Sequence, residues 1–423
     1  MKKVRVGYIG VGRRGRFVFD KCISKMKDVE VVTICDKNEE FLERAQKILI
    51  KNSGYEAKLT VNADDIFNDP SIDATIIMTG WNDRIDLIIK SMYAGKYAAF
   101  EVGCAFTLEE CYKLLDAYKE TKVPVMMLEN CCYGRREMMA LHLAENNYFG
   151  EIVHCEGGYH HFLTKDELLS EEIRHTVHHY RIDSYIERNC ESYPTHELGP
   201  ISKLLKINRG NRMVRLNSIA SKSRAIKYFA KEYLGEDNKY ANIDYAQGDI
   251  VTTIITCENG ETIKLALDTT LPRPYYSRNF TVRGTKGCYI EERKVLYSYD
   301  FYEPNEIEFN EEEIMSKYDH PLHKEYEAEG VAEGHGGVDW LVCRAFIEAV
   351  KNGTNTPIDI YDSLVWLAIA PLSEQSIAQN GAPVEIPDFT EGKYKNREPI
   401  VMGKYCLDMV CTDNEVKIYP DGE

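Results

Sequence analysis

Two patterns of hydrophobic and polar positions alternate along the first 130 residues. Short apolar runs of strand length occur at 4–9 (VRVGYI), 29–35 (VEVVTIC), 74–79 (ATIIMT), 97–101 (YAAFE) and 123–128 (VPVMML). Between them, 39–50, 84–94 and the stretch after Thr107 mix apolar and charged residues and read as helices. Gly95 fits as the stop of one helix, and Thr107 with Glu110 reads as a capping box at the start of another. This alternation predicts a doubly wound α/β domain with a parallel sheet, its functional residues at the carboxyl ends of the strands.

Past residue 150 the pattern changes. Residues 152–159 are strand-like. Runs at 249–257 and 262–268 flank Glu258-Asn259-Gly260-Glu261, a hairpin signal. Runs at 279–283 and 288–292 flank Gly284-Thr285-Lys286-Gly287 and predict a second hairpin. Helices are expected at 338–351 and 361–379, and the tail beyond Pro383 reads as irregular, wrapping over the body or serving an interface. The expected division is a Rossmann-type domain over 1–130 and an α+β domain with a mostly antiparallel sheet over 131–423.

The first strand runs into Gly10-Val11-Gly12-Arg13-Arg14-Gly15. Gly10 permits a tight turn, Gly12 lets backbone approach a pyrophosphate, and Gly15 lets the next helix pack close to the strand. A helix starting near Arg13 would offer free N–H groups and a positive dipole end to phosphates. The second apolar run ends at Asp36, roughly 20 residues beyond the turn, where an acid binds ribose hydroxyls. Strand, turn, helix and acid together point to a nicotinamide dinucleotide. Asp36 favours NAD because its charge repels a 2′-phosphate, while Lys37, Arg13 and Arg14 leave NADP open.

Composition narrows the partners. The 423 residues carry a formal net charge of −16 with no long basic run, which argues against nucleic acid and anionic membranes. Hydrophobic content of 44% and charged content of 28% are those of a globular protein. The chain shows no secretion signal and no apolar stretch of membrane-spanning length, so a cytoplasmic protein is expected. Its 13 cysteines are scattered, without paired CxxC spacing, and read as reduced, mostly buried thiols.

Further motifs run through almost the whole chain. They are Glu129-Asn130-Cys131-Cys132-Tyr133-Gly134-Arg135, Tyr193-Pro194-Thr195-His196-Glu197-Leu198-Gly199-Pro200, Asn208-Arg209-Gly210, Pro272-Arg273-Pro274-Tyr275, Gly334-His335-Gly336-Gly337 and the segment 383–390 (PVEIPDFT). With the glycine turn they resemble the Gfo/Idh/MocA oxidoreductase superfamily and, within it, glycoside hydrolase family 109, the NAD-dependent α-N-acetylgalactosaminidase type. Sugar dehydrogenases of that superfamily usually carry Glu-Lys-Pro where this chain has Glu101-Val102-Gly103. The absent lysine counts against a simple alcohol dehydrogenase and agrees with the Glu-Val of family 109.

The resemblance implies roles by position. NAD would contact Gly10, Gly12, Arg13, Arg14, Gly15, Asp36, Thr79, Trp81, Asn82, Asp83, Arg84, Glu101, Val102 and Asn130. Arg84 stands where relatives usually have histidine. Sugar contacts would come from Tyr159, Arg181, Tyr193, Pro194, Thr195, His196 and Tyr275, and catalytic groups from Tyr193, His196, Tyr159 and Glu129. The implied reaction cleaves a hexoside by transient oxidation at C3, loss of the C2 proton, elimination at C1, water addition and re-reduction. It differs from the two-carboxylate scheme, for which the sequence singles out no pair of acids. The sugar stays open, because 163–188 matches little of the family. A homo-oligomer through the β-sheet domain is expected. An NAD(P)-dependent sugar or inositol dehydrogenase and a non-enzymatic NAD-binding sensor are the alternatives.

No metal is expected. His175, His178 and His179 have helix-like spacing that also suits a metal pair, but they read as a solvated or loop face. His160 and His161 would point to opposite sides of a strand. Cys131 and Cys132 read as packing residues, since no partner base is evident.

Overall fold

The computed structural model describes residues 3–103, 105–170, 180–299, 305–328 and 335–417. The early apolar runs become β1 (Val4–Ile9), β2 (Val29–Cys35), β3 (Lys58–Thr60), β4 (Ala74–Ile77), β5 (Tyr97–Phe100) and β6 (Val125–Met127). They pair in parallel in the order β3-β2-β1-β4-β5-β6. β4 and β6 are buried at every position, which is why their sequences are apolar runs rather than alternations. The order reverses between β1 and β4, where such sheets open a crevice at the carboxyl ends of the strands. The helix Leu108–Thr121 starts with the expected capping box: Glu110 N–H donates to Thr107 Oγ1 at 3.2 Å and Thr107 N–H donates to Glu110 Oε2 at 3.1 Å. Such a cap contributes about 1 kcal/mol.

The second sheet has nine strands: β7 (Ile152–His160), β8 (Met213–Ala220), β9 (Ile250–Cys257), β10 (Thr262–Asp268), β11 (Thr281–Gly284), β12 (Gly287–Ile290), β13 (Val295–Ser298), β14 (Glu306–Glu308) and β15 (Val384–Glu385). Their order is β14-β13-β12-β11-β7-β10-β9-β8-β15. Both expected hairpins form, β9 with β10 and β11 with β12. β7 departs from the antiparallel pattern by running parallel to β10. A long connection separates the two strands, so no tight turn sets their relative direction.

One face of this sheet is covered by the helices Thr195–Leu204, packed on β7, and Ile360–Ala378, packed on β8. On the other face Ile219 and Ile254 are exposed. The last two long helices also reach the first sheet. Val338–Asn352 packs against β1 and the turn Asn130–Tyr133, and Ile360–Ala378 packs against β6 and the helix Leu108–Thr121. The tail adds β15 beside β8 and then wraps over the body, so it is less irregular than its sequence suggests. A buried ion network anchors it: Lys203 Nζ lies 2.6 Å from Asp362 and 3.0 Å from Asp408, and Arg209 lies 2.8 Å from Asp362. No helix among the described residues is long and apolar enough to cross a membrane. Every described cysteine is free, and all but Cys288 are buried.

Candidate active site

The glycine turn has the geometry its sequence requires. Gly10 sits at φ +92°, and a Cβ there would meet the Met78 backbone at 2.8 Å. A Cβ on Gly15 would stand 2.1 Å from the Gly10 carbonyl oxygen, so only glycine lets the helix Arg13–Lys21 pack this close. A Cβ on Gly12 would meet nothing within 4 Å. That open space lies at the helix N-terminus, where no side chain caps the free N–H groups. It is a cradle for a pyrophosphate. Asp36 ends the second strand as expected and braces the turn, its carboxylate accepting from Val11 N–H at 2.7 Å and Asn38 N–H at 2.9 Å.

The remaining nucleotide candidates are placed differently from one another. Arg14, Glu101, Val102 and Asn130 line a cavity of about 900 Å³. Arg13, Asn82 and Asp83 are exposed outside it, with Asp83 paired to Lys37 at 3.0 Å. Arg84 is buried and spends its guanidinium on backbone: it donates to the carbonyls of Thr79 at 2.5 Å, Glu101 at 2.6 Å and Val102 at 2.7 Å. It therefore clamps the loop after β4 to the loop after β5, in place of a direct ligand contact. Gly103 permits the clamp, since a Cβ there would lie 2.4 Å from Trp81 Nε1.

The opposite wall of the cavity carries Tyr159, His161, Arg181, Tyr193 and His196. β7 delivers Tyr159 and, two residues on, just past its end and on the same side, His161. The Tyr159 hydroxyl lies 2.9 Å from His161 Nδ1. His160 is buried away from the cavity, as the alternation requires. The helix Thr195–Leu204 delivers His196 from its first turn, with Pro194 at the N-cap. The rings of Tyr159, Tyr193 and His196 pack at centroid distances of 4.5, 4.9 and 5.2 Å. The Arg181 guanidinium stands over the Tyr193 ring at 4.8 Å, and its Nε and Nη1 have no hydrogen-bond partner among the described residues. Buried donors of this kind are suited to sugar or acyl oxygens.

Glu129 lies behind this wall, wholly buried, and touches the site through His196. Its Oε1 accepts from His196 Nδ1 at 2.8 Å and from Cys131 N–H at 3.0 Å. Burial opposes the charge, but the histidine and these hydrogen bonds outweigh it and hold the carboxyl below its usual range. A donor at Nδ1 leaves Nε2 as the nitrogen that gains and loses a proton. Burial pushes the phenols of Tyr159 and Tyr193 up, so both are neutral hydroxyls at neutral pH. Glu191, buried beneath Tyr193, is pushed up by burial to about 8.

Cys131 Sγ lies within 4.8 Å of the Glu129 and His196 ligand atoms, a grouping able in principle to hold a metal ion. The Arg278 guanidinium, 3.0 Å from the sulfur, opposes a dication there.

The structure does not bring Tyr275 to the cavity. Its side chain is 56% exposed and donates to Glu292 at 2.8 Å, while the next residue, Tyr276, lines the cavity. Sequence reasoning also missed His161, Glu167, Tyr180 and Arg278. For His161 the signal was present, two residues beyond Tyr159 and just past the end of β7. Arg278 becomes visible only through its buried partners Glu197, at 2.7 Å, and Glu137. His175, His178 and His179 lie outside the described residues.

A dinucleotide-binding sheet whose strand ends line a polar cavity, shared with an aromatic and histidine wall built from one strand and the helices of the second domain, is the architecture of an NAD-dependent enzyme. Residues 4–129 match the family model of the oxidoreductase family with an NAD-binding Rossmann fold, and residues 133–396 match that of the glycosyl hydrolase 109 C-terminal domain. A glycosyl hydrolase family 109 protein of Stenotrophomonas maltophilia (strain K279a) is 38% identical over 96% of this chain and 93% of its own. An alpha-N-acetylgalactosaminidase of Tannerella forsythia is 35% identical over 94% of this chain and 88% of its own. Among solved structures, levoglucosan dehydrogenase in complex with NADH and levoglucosan is 18% identical with a TM-score of 0.66, covering 91% of this chain and 100% of that one. An NAD binding oxidoreductase from Klebsiella pneumoniae is 15% identical with a TM-score of 0.70, covering 91% and 99%; these two likenesses concern the fold. The chain belongs to glycosyl hydrolase family 109, and is an NAD-dependent glycosidase.

Proposed function

We propose that this protein hydrolyses an α-linked N-acetylgalactosaminide, or a closely related hexoside, without net consumption of NAD. The observation that carries this reading is one cavity joining Arg14, Glu101, Val102 and Asn130 to Tyr159, Arg181, Tyr193 and His196. The name of the Tannerella relative supports the sugar.

The residues present fit the cofactor: the open space above Gly12 would hold the pyrophosphate, Asp36 the ribose, and Arg14, Glu101, Val102 and Asn130 the nicotinamide side. When bound, NAD supplies a two-electron acceptor for C3 of the sugar that returns the same electrons at the end of the cycle, and the C2 proton is acidic in between. His196 Nε2 removes that proton, with Glu129 holding the ring and stabilising its cationic form. The neutral Tyr193 hydroxyl orients the C3 hydroxyl by hydrogen bonding, the hydroxyl proton of C3 passing to water in the cavity on oxidation and returning from it on re-reduction. Tyr159, backed by His161, carries the proton needed by the leaving oxygen and taken from the incoming water. Arg181 orients hydroxyl or acyl oxygens and stabilises enolate charge. Trp81 and Tyr180, 4.8 Å apart, close one side of this region to water.

The same reading takes 1–130 as the cofactor domain and 131–423 as the substrate domain, a cytoplasmic location, and a homo-oligomer formed through the open sheet face bearing Ile219 and Ile254. The test is a panel of nitrophenyl glycosides of both anomers, assayed with NAD⁺ for chromophore and NADH together. Chromophore release without NADH accumulation, with solvent deuterium entering C2, is the expected result. Stoichiometric NADH from a free sugar would instead establish a dehydrogenase, and NAD binding with neither reaction a sensor.

A further inference from the structure

The motif Gly334-His335-Gly336-Gly337 leads into the helix Val338–Asn352, whose first turn carries Asp339. The Asp339 side chain is 1% exposed and does not itself line the cavity. Its carboxylate instead grips two residues that do. Oδ1 accepts from Arg14 Nη2 at 2.7 Å and from Asn130 Nδ2 at 2.7 Å, and Oδ2 accepts from Arg14 Nη1 at 3.0 Å. Arg14 Nε in turn donates to Glu101 Oε2 at 2.9 Å. Arg14 follows β1, Glu101 follows β5 and Asn130 follows β6. One carboxylate from far along the chain therefore joins three strand ends on the nucleotide side of the cavity.

We infer that Asp339 is a positioning residue for NAD, holding the Arg14 guanidinium and the Asn130 amide in the orientation that the cofactor meets. Two parallel N–H···O bonds fix the plane of a guanidinium as a single bond does not. An arginine so held cannot swing into the space that a nucleotide needs. The Asn130 amide is held at both ends: Nδ2 donates to Asp339 and Oδ1 accepts from Cys131 Sγ at 3.6 Å. The buried carboxylate itself is favoured by its place in the first turn of a helix. The approach of that helix is set by Gly337 at φ +100°, where a Cβ would strike the Tyr326 ring at 2.3 Å. Gly337 thus places Asp339, and Asp339 places the nucleotide wall. This inference rests on the family assignment of NAD as cofactor.

The test compares NAD⁺ affinity, by titration calorimetry, and melting temperature in wild type, D339N, R14L and the double variant. Asparagine keeps the shape of the side chain but presents an N–H where Arg14 needs an acceptor. The expected result is a loss of affinity of about tenfold or more in D339N, with a cooperative melt close to wild type. R14L should lose affinity by a similar factor, and adding D339N to R14L should cost clearly less than D339N costs in the wild type, because one of the two groups that Asp339 holds is already gone. Wild-type affinity in D339N, or multiplicative losses in the double variant, would overturn the inference. So would a loss of affinity that appears only with a large fall in melting temperature. If D339N does not fold, R14K carries the test: lysine keeps the charge but cannot make two parallel bonds. About tenfold weaker NAD⁺ binding by R14K is then expected, and unchanged binding overturns the inference. Failure of the wild type to bind NAD⁺ would count against the cofactor assignment, a result distinct from a D339N that binds as wild type does.

Discussion

Glu129 accepts a hydrogen bond from His196 Nδ1 at 2.8 Å while its own carboxylate is completely out of solvent. A buried charge with this one ionisable partner acts by orienting it and by stabilising its protonated form. Glu129→Gln keeps the shape and removes the charge. Turnover of the best glycoside should fall by about a hundredfold to a thousandfold, in line with the loss of a general base. Solvent deuterium exchange at C2 should fall by the same factor, and NAD⁺ affinity should stay within about threefold. Loss of turnover with intact C2 exchange would place Glu129 in another step.

Gly12 and Gly15 belong to one motif but fail differently when changed. Gly12→Ala fills space that holds no protein atom, so melting should be unaffected while NAD⁺ affinity drops at least about tenfold. Gly15→Ala puts a methyl group 2.1 Å from a carbonyl oxygen and should cost about 1–3 kcal/mol of stability. Calorimetric melting with and without NAD⁺ separates the two effects. Equal destabilisation by both substitutions would contradict this division.

Tyr275 and Tyr276 are adjacent, yet only the second faces the cavity, with its ring 5.1 Å from that of His161. Tyr275→Phe should leave KM for the glycoside within about twofold. Tyr276→Ala should raise it about tenfold, the loss expected for an aromatic wall of a sugar site. The comparison of KM values checks which tyrosine contacts the sugar.

Arg181 offers buried guanidinium N–H groups toward the cavity. Arg181→Met keeps length and loses the donors. Substrate affinity should fall about tenfold to a hundredfold, the range for one or two hydrogen bonds to a charged group. An N-acetylated and a plain galactoside measured side by side would show whether the acyl oxygen is the partner: a larger loss for the N-acetylated sugar is expected if it is.

Two buried groups set the pH range of stability from opposite sides. Glu191 is raised by burial from 4.5 to about 8, so its contribution is fully present below about pH 4.5 and is lost as pH rises toward about 8. His320 is lowered from 6.5 to about 3 by burial, with the neighbouring His323 and His142 acting in the same direction. The unfolded chain therefore binds the extra proton between those values, and stability is lost as pH falls from 6.5 toward 3. Each slope is about 1.4 kcal/mol per pH unit. Melting temperature against pH should show Glu191→Gln gaining on the wild type steadily from pH 5 to pH 8, and His320→Phe losing less than the wild type below pH 6. Curves parallel to the wild type would show that these groups titrate normally.

Local patterns in the chain determined the parallel sheet, the capping box at Thr107, both hairpins and the nucleotide turn. Each depends on residues close together in sequence, where strand alternation, glycine conformation and turn length act directly. Tyr159, Tyr193 and His196 became candidates through the family resemblance, which for Tyr193 and His196 rests on one contiguous motif. What the tertiary structure decided are contacts between segments far apart in the chain. The parallel pairing of β7 with β10, the retreat of Glu129 behind His196, the diversion of Arg84 into a backbone clamp, the choice of Tyr276 over Tyr275 and the grip of Asp339 on Arg14 all arise this way. Burial and pairing of polar groups are properties of the packed molecule, and no spacing along the chain records them.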